Sequence, residues 1–396
     1  MASTLPQPGS PEAIPAHASR GHVRAPRARL RSAPTMGCAC RRHGSLPPLL
    51  RAWLTAIVLA FATPWLGGCE QPAPAIAELQ GTTMGTTYSV KVYPTPAPDV
   101  LDRLQRRIEE TLTRVNAEMS TYLSDSDLTR FNRNPSTDWQ PVPAALAALV
   151  AQAGAISRAT DGMYDVTIGP LVELWGFGSR GRRDTPPTDA EIAALLERVG
   201  YQRVEARLSP PALRKRVGGV AIDLSSIAKG WGVDELTRVL DAEGIASYLV
   251  EIGGELRARG DKGGQAPWRV AIERPLAGAR AVQHLLALHD ESIATSGDYR
   301  NFFEAGGQRY AHTIDPHSGH PVRHRLASVS VIAADCATAD AWATALMALG
   351  DRRGPEVARH LHLDALFVVR DDDGLREMAS DVWRAKRGDR APTSEQ

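Results

Sequence analysis

Apolar residues recur along this chain with two spacings. Over residues 86–93 they alternate with polar ones, the period of two that marks a half-buried strand. Beyond Pro98-Asp99 the spacing changes. Leu101, Leu104, Ile108, Leu112 and Val115 fall three or four residues apart, which predicts an amphipathic helix. Ala144–Ala159 predicts a second, alanine-rich helix. Thr188 with Glu191 forms a capping box ahead of Ile192, Leu195, Leu196 and Val199. Short strands are predicted at Val204, over 220–224, Tyr248–Ile252 and 270–273, and helices over 229–243, 338–349 and 356–362. A last strand is predicted near 365–370. Strands and helices mix without strict alternation and without a fixed repeat, so the expected class is α+β, mixed sheets with packed helices. Glycine-rich punctuation at 160–182, and near 253 and 263, marks loops that face a ligand.

The first 68 residues follow neither pattern. They hold eight of the 46 basic residues but only one of the 45 acidic ones. Residues 52–66 are nearly free of charge, follow Arg41, Arg42 and Arg51, and end in Leu66-Gly67-Gly68-Cys69. A basic start, a short apolar run and small residues before a cut describe a secretory signal. The run is shorter than the roughly 20 residues a membrane-spanning helix needs. Cysteine after Leu-Gly-Gly resembles a bacterial lipobox, which would make Cys69 a lipidated N-terminus. An uncleaved anchor helix and an ordinary signal with an incidental cysteine are the alternatives. Met36 would give a signal of ordinary shape, and Glu70 after the cysteine leaves the choice of membrane open. The expected division is a signal region over 1–68, a tether over 69–78, one large domain over 79–380 and a polar tail over 381–396. The expected location is the periplasmic side of a bacterial envelope, lipid-anchored at Cys69.

Without residues 1–68 the chain carries a formal charge near −6. It therefore lacks the basic footprint of a nucleic-acid binder. Cys38 and Cys40 leave with the signal, and Cys69 would carry lipid. Cys336 then stands alone, and no disulfide can form within the chain.

Four stretches carry candidate chemistry. Asp340 and Thr344 stand at i and i+4 on a predicted helix and present hard oxygen ligands on one face, as Mg²⁺ prefers. A cap and a hydroxyl bonded to its own turn are the structural alternative. Residues 223–231 run from a strand ending in Asp223 into a helix near Lys229, where exposed N–H groups and an ammonium suit a phosphate. The spacing is not that of a P-loop, and Asp223 as a plain helix cap fits equally well. Met84, on a glycine-flanked turn, and Tyr122, in a polar loop, could sandwich a flat ring, although a methionine in a strand is ordinarily core. Finally, residues 309–319 set His312 and Asp315 beside the reversal at Pro316 and Gly319, as in a catalytic loop or a surface turn.

These stretches, with 161–178, 248–255, 295–301 and 339–344, follow one another in an order that resembles the ApbE family, the FAD:protein FMN transferases. The resemblance extends from about Gly81 to Gly350. It implies a two-lobed single unit that cleaves FAD, moves FMN to a threonine hydroxyl of a target protein and releases AMP, with Mg²⁺. Met84, Tyr122, Gly162, Met163, Tyr164, Asp223, Lys229 and Ile314 would line the FAD site. Ser226, Asp340 and Thr344 would hold the metal, and His312 would act as general base or orient the acceptor. Implied partners are exported or membrane-bound redox proteins with a Ser/Thr-Gly-Ala/Ser-Thr segment. Three departures stand out: Ala343 where a family carboxylate is expected, Ile252 and Glu255 flanking Gly253-Gly254, and His317-Ser318 in place of Arg-Thr. Two rival readings share the site: a metal-dependent FAD pyrophosphatase releasing FMN and AMP, and a non-catalytic lipoprotein that stores FAD.

Overall fold

The structure is a computed structural model that describes residues 75–388, apart from 180, 182, 184, 265, 277, 279 and 280. The signal region and the lipidation candidate Cys69 lie outside the described residues. Those described belong to one unit, Gln71–Gln396. No helix among them is long and apolar enough to cross a membrane.

In chain order the strands are β1 (Ala77–Thr83), β2 (Thr86–Val92), β3 (Gln140–Pro141), β4 (Val204–Leu208), β5 (Pro211–Lys215), β6 (Tyr248–Ile252), β7 (Glu255–Arg259), β8 (Trp268–Glu273), β9 (Val282–Leu288), β10 (Ser292–Gly297), β11 (Phe302–Ala305), β12 (Gln308–Ala311), β13 (Leu326–Ala333), β14 (Asp364–Asp371) and β15 (Gly374–Ala379). The helices are α1 (Pro98–Met119), α2 (Asp127–Arg133), α3 (Ala144–Ala159), α4 (Gly169–Leu174), α5 (Asp189–Leu196), α6 (Ala228–Ala242), α7 (Cys336–His360) and α8 (Asp381–Arg387).

Eight strands form one antiparallel sheet in the order β1-β2-β6-β7-β10-β13-β14-β15. The alternation in β2 sends Tyr88, Val90 and Val92 to one face, where they meet Leu104, Ile108 and Leu112 of α1 and Val233, Leu236 and Leu240 of α6. Each large apolar side chain removed from water there contributes roughly 1.5–3 kcal/mol. Strand β13 is buried on both faces, as its unbroken apolar and small composition requires. On the opposite face lies the β8–β9 hairpin. Trp268, Val270, Ile272, Leu286 and Leu288 pack against Leu249, Ala258, Ile293 and Ile332 of the sheet. A three-stranded sheet, β3-β5-β4, and the short hairpin β11–β12 complete the unit.

The α+β expectation holds, as do β2, α1, α3 and the capping box at Thr188 and Glu191. The helices expected over 338–349 and 356–362 are the two halves of α7, broken at Gly350, where φ is +77°. Residues 220–224 are not a strand. Their backbone is bonded by the Asn132 side chain at Ile222 and by the Val166 carbonyl at Asp223, so no neighbouring strand is needed. The expected tether gives way to β1 at Ala77, and the expected polar tail opens with α8, whose Trp383 is buried among sheet residues.

Candidate active site

A cleft of about 970 Å³ opens between the sheet, the start of α6, the first half of α7 and the loop that follows β12. Helical spacing brings Asp340, Thr344 and Ala348 of α7 onto its wall at every fourth residue. Ala343 is fully buried among apolar residues and is not on the cleft wall.

Helices α6 and α7 cross closely because position 230 is glycine, and a Cβ there would stand 2.3 Å from the Cys336 carbonyl oxygen. The contact lets the Gly230 N–H donate to Asp340 Oδ2 at 3.0 Å, which fixes the carboxylate. One residue earlier, the Lys229 ammonium pairs with Glu255 and lies 3.7 Å from Asp340 Oδ1. Glu255 reaches the site from the first position of β7, after the tight turn at Gly253 (φ +63°) and Gly254 (φ +107°). Burial opposes the charge on Lys229, yet the carboxylates of Asp340 and Glu255 hold its pKa above the ordinary value. Burial, reinforced by repulsion from Asp340, raises the Glu255 carboxyl despite the ammonium beside it. Both carboxylates are buried, so the cluster sets two acids against one base.

The remaining oxygens are held by neighbours. The Ser226 hydroxyl donates to Tyr164 Oη at 2.9 Å, and Thr344 Oγ1 lies 3.2 Å from Ser296 Oγ. Tyr164 is buried, which lifts its phenol well above the usual range and keeps it neutral. Asp223 accepts from the Ser225 N–H at 2.8 Å in a turn ahead of α6, so it is not that helix's cap. His312 lies half-buried, with Nδ1 3.1 Å from the Asn301 carbonyl and the edge of its ring towards Phe177. That contact makes Nδ1 the protonated nitrogen and leaves Nε2 as the basic one. Burial lowers the His312 pKa, and the Lys229 charge adds to the effect.

The donor set suits a hard divalent cation. Asp340, Thr344 and Ser226 offer only oxygen, two acids of the cluster face a single ammonium, and Glu255 Oε2 is buried with no hydrogen-bond partner among the described residues.

Residues 84–367 match the ApbE family. The chain belongs to the ApbE family. It is 43% identical over 335 residues to the FAD:protein FMN transferase of Vibrio cholerae, covering 85% of this chain and 98% of that one. Against the protein of the same description from Escherichia coli K12 the identity is 36% over 340 residues, covering 84% and 97%. Among solved structures, the flavin transferase ApbE from Vibrio cholerae superposes with a TM-score of 0.72 at 42% identity, over 78% of this chain and 99% of that one. The apo flavinyl transferase ApbE of Pseudomonas stutzeri gives 0.73 at 38% identity, over 80% and 98%.

Most residues expected from the ApbE resemblance meet in the cleft: Tyr122, Met163, Tyr164, Asp223, Ser226, Lys229, His312, Ile314, Asp340 and Thr344 all line it. Tyr122 stands at the mouth, 70% exposed. Met84 and Gly162 are not on the wall. Met84 occupies the β1–β2 turn at φ +50° and packs towards Gly232 and the core beneath. Gly162, at φ +81°, ends α3, and its N–H is bonded to the Ser157 carbonyl at 2.8 Å. His317 also turns away, with Nε2 3.1 Å from the Asp161 carbonyl. Glu255 and Ser296 lie inside blocks singled out in the sequence, 248–255 and 295–301, but sequence reasoning gave neither a partner in the site; the register of β6 on β7 and of β10 on β13 shows what each faces.

Proposed function

We propose that this chain is a magnesium-dependent FAD:protein FMN transferase acting on a threonine hydroxyl of a redox protein. The observation that carries the reading is the convergence of His312, Lys229 and the Asp340–Thr344 pair in one cleft of an ApbE-family fold. FAD would lie with its ring system towards Tyr122, Met163 and Tyr164 and its pyrophosphate towards Lys229. Backbone N–H groups at the start of α6 add to the attraction for phosphate. His312 Nε2 accepts the proton of the acceptor hydroxyl as its oxygen attacks the phosphorus of the FMN half. A phosphoester bond forms, the bridging P–O bond breaks, and AMP departs with the bridging oxygen. Asp340, Thr344 and Ser226 are the residues that would hold Mg²⁺, which supplies neutralisation of charge developing on the phosphate oxygens.

The basic start, apolar run and Leu-Gly-Gly-Cys ending of residues 1–69 support export and lipid attachment at Cys69. A tethered enzyme would meet exported or membrane-bound redox subunits on the periplasmic side.

The test is the intact mass of an acceptor protein bearing Ser-Gly-Ala-Thr, after incubation with the enzyme, FAD and MgCl₂. A gain of one FMN residue, abolished by EDTA, is expected. FMN and AMP in solution without an adduct would replace this reading with FAD hydrolysis. FAD bound but intact would replace it with storage.

A further inference from the structure

Among the described residues, strand β8 pairs with β9 and with no other strand. The far side of β9 is occupied: Gln283 Nε2 donates to Glu377 at 2.7 Å, and His284 stands edge-on to Trp383 at 5.7 Å. The far side of β8 is the cleft. Five of its six residues, Arg269–Glu273, line that cleft, and they come from both faces of the strand. Val270 and Ile272 point inward to the core, whereas Arg269, Ala271 and Glu273 point outward. A cavity touches both faces of a strand only where it meets the strand along its edge, the side on which backbone N–H and C=O groups are unpaired. The edge leads to the reacting centre. Glu273, at its end, is ion-paired with Arg300, and the carbonyl of the next residue, Asn301, is the one that orients His312.

We infer that the acceptor polypeptide docks on the β8 edge as an added strand, its backbone paired with residues 269–273 and its hydroxyl delivered past Glu273 to His312. The inference rests on the transfer reading, under which the second substrate is a chain that must reach the phosphates through this cleft. Addition to a sheet edge suits such a substrate, because main-chain bonds hold the segment whatever its side chains. The six residues of β8 span roughly 20 Å, enough for a short extended segment. Selection of the target would then depend on an exposed extended segment more than on a long sequence motif.

The test uses the soluble chain, FAD, MgCl₂ and a synthetic peptide bearing Ser-Gly-Ala-Thr, with single N-methyl groups moved along its backbone amides. Added-strand docking predicts a period of two. Methylation at alternate amides should raise the peptide KM by about tenfold or more, and the intervening positions should be tolerated, since successive residues of a strand direct their amides to opposite sides. Uniform tolerance, or losses without alternation, would overturn the docking inference while leaving transfer intact. No adduct even on the unmodified peptide would remove the transfer reading, and the docking inference with it.

Discussion

The ammonium of Lys229 is held by Glu255 and stands 3.7 Å from Asp340, so one cation is shared between two carboxylates of the cleft, one of them a metal candidate. Glu255 thereby draws the ammonium off Asp340. Glu255→Gln would keep an acceptor for Lys229 but remove the charge, leaving Asp340 as the ammonium's remaining carboxylate partner in the cluster. Lys229 would then compete with the metal. The MgCl₂ concentration for half-maximal rate should rise by about tenfold, the lower end of what a supporting residue costs a metal site. A MgCl₂ titration checks it, and an unchanged midpoint would show that Glu255 has no hold on Asp340.

Asp340→Asn isolates charge from geometry. The amide oxygen still accepts from the Gly230 N–H, so the α6–α7 contact survives. What disappears is the anionic charge of the candidate metal ligand. Turnover of FAD should fall by about 10²–10³-fold, the usual scale for losing one electrostatic contact to the transition state. AMP release measured across a MgCl₂ series is the readout, and a variant restored to full rate by excess MgCl₂ would mean the carboxylate only sets affinity.

The Asp340–Thr344 pair was legible because a helix converts a spacing of four into a shared face, and the sequence around it is unmistakably helical. His312 was legible from a turn rich in Pro and Gly. Glu255 was not, because a β-turn position meets Lys229 only through the crossing of two distant elements. Met84 and Gly162 sit in blocks that match the family, and what the structure adds is a local position for each, a turn and a helix stop. The strand expected over 220–224 failed because alternation reports which side chains are buried, not what bonds the backbone. The side-chain amide of Asn132 substitutes for a neighbouring strand. Helix α8 escaped notice because Trp383 alone anchors a segment otherwise rich in charge.

Gly230→Ala tests the helix crossing on which the cluster depends. The added Cβ would meet the Cys336 carbonyl at 2.3 Å, and that neighbour is backbone at the start of α7, unable to swing aside. Overpacking of this kind costs about 1–3 kcal/mol. Thermal unfolding should shift down by roughly 1–2 °C for each kcal/mol in a domain of this size. Activity should fall further than stability, because separating the helices also breaks the Gly230–Asp340 hydrogen bond. An unchanged unfolding temperature would show that the helices can move apart freely.

The pH profile distinguishes a base at His312 from a residue that merely positions the acceptor. Burial and the nearby Lys229 charge lower its pKa below the ordinary histidine value, and only the neutral ring can take the hydroxyl proton. The sign follows directly: kcat/KM for the acceptor should be full at neutral pH and fall as pH drops through an apparent pKa below about 6.5. His312→Ala should reduce transfer by about 10²–10⁴-fold, the range for loss of a general base. It should also flatten the acid limb, leaving FAD affinity little changed. Phe177 packs edge-on against the ring, so Phe177→Ala, by admitting water, should move the limb towards higher pH without removing it. Rates measured from pH 5 to 8 for the three proteins settle the assignment. An acid limb that persists in His312→Ala would place the titrating base elsewhere.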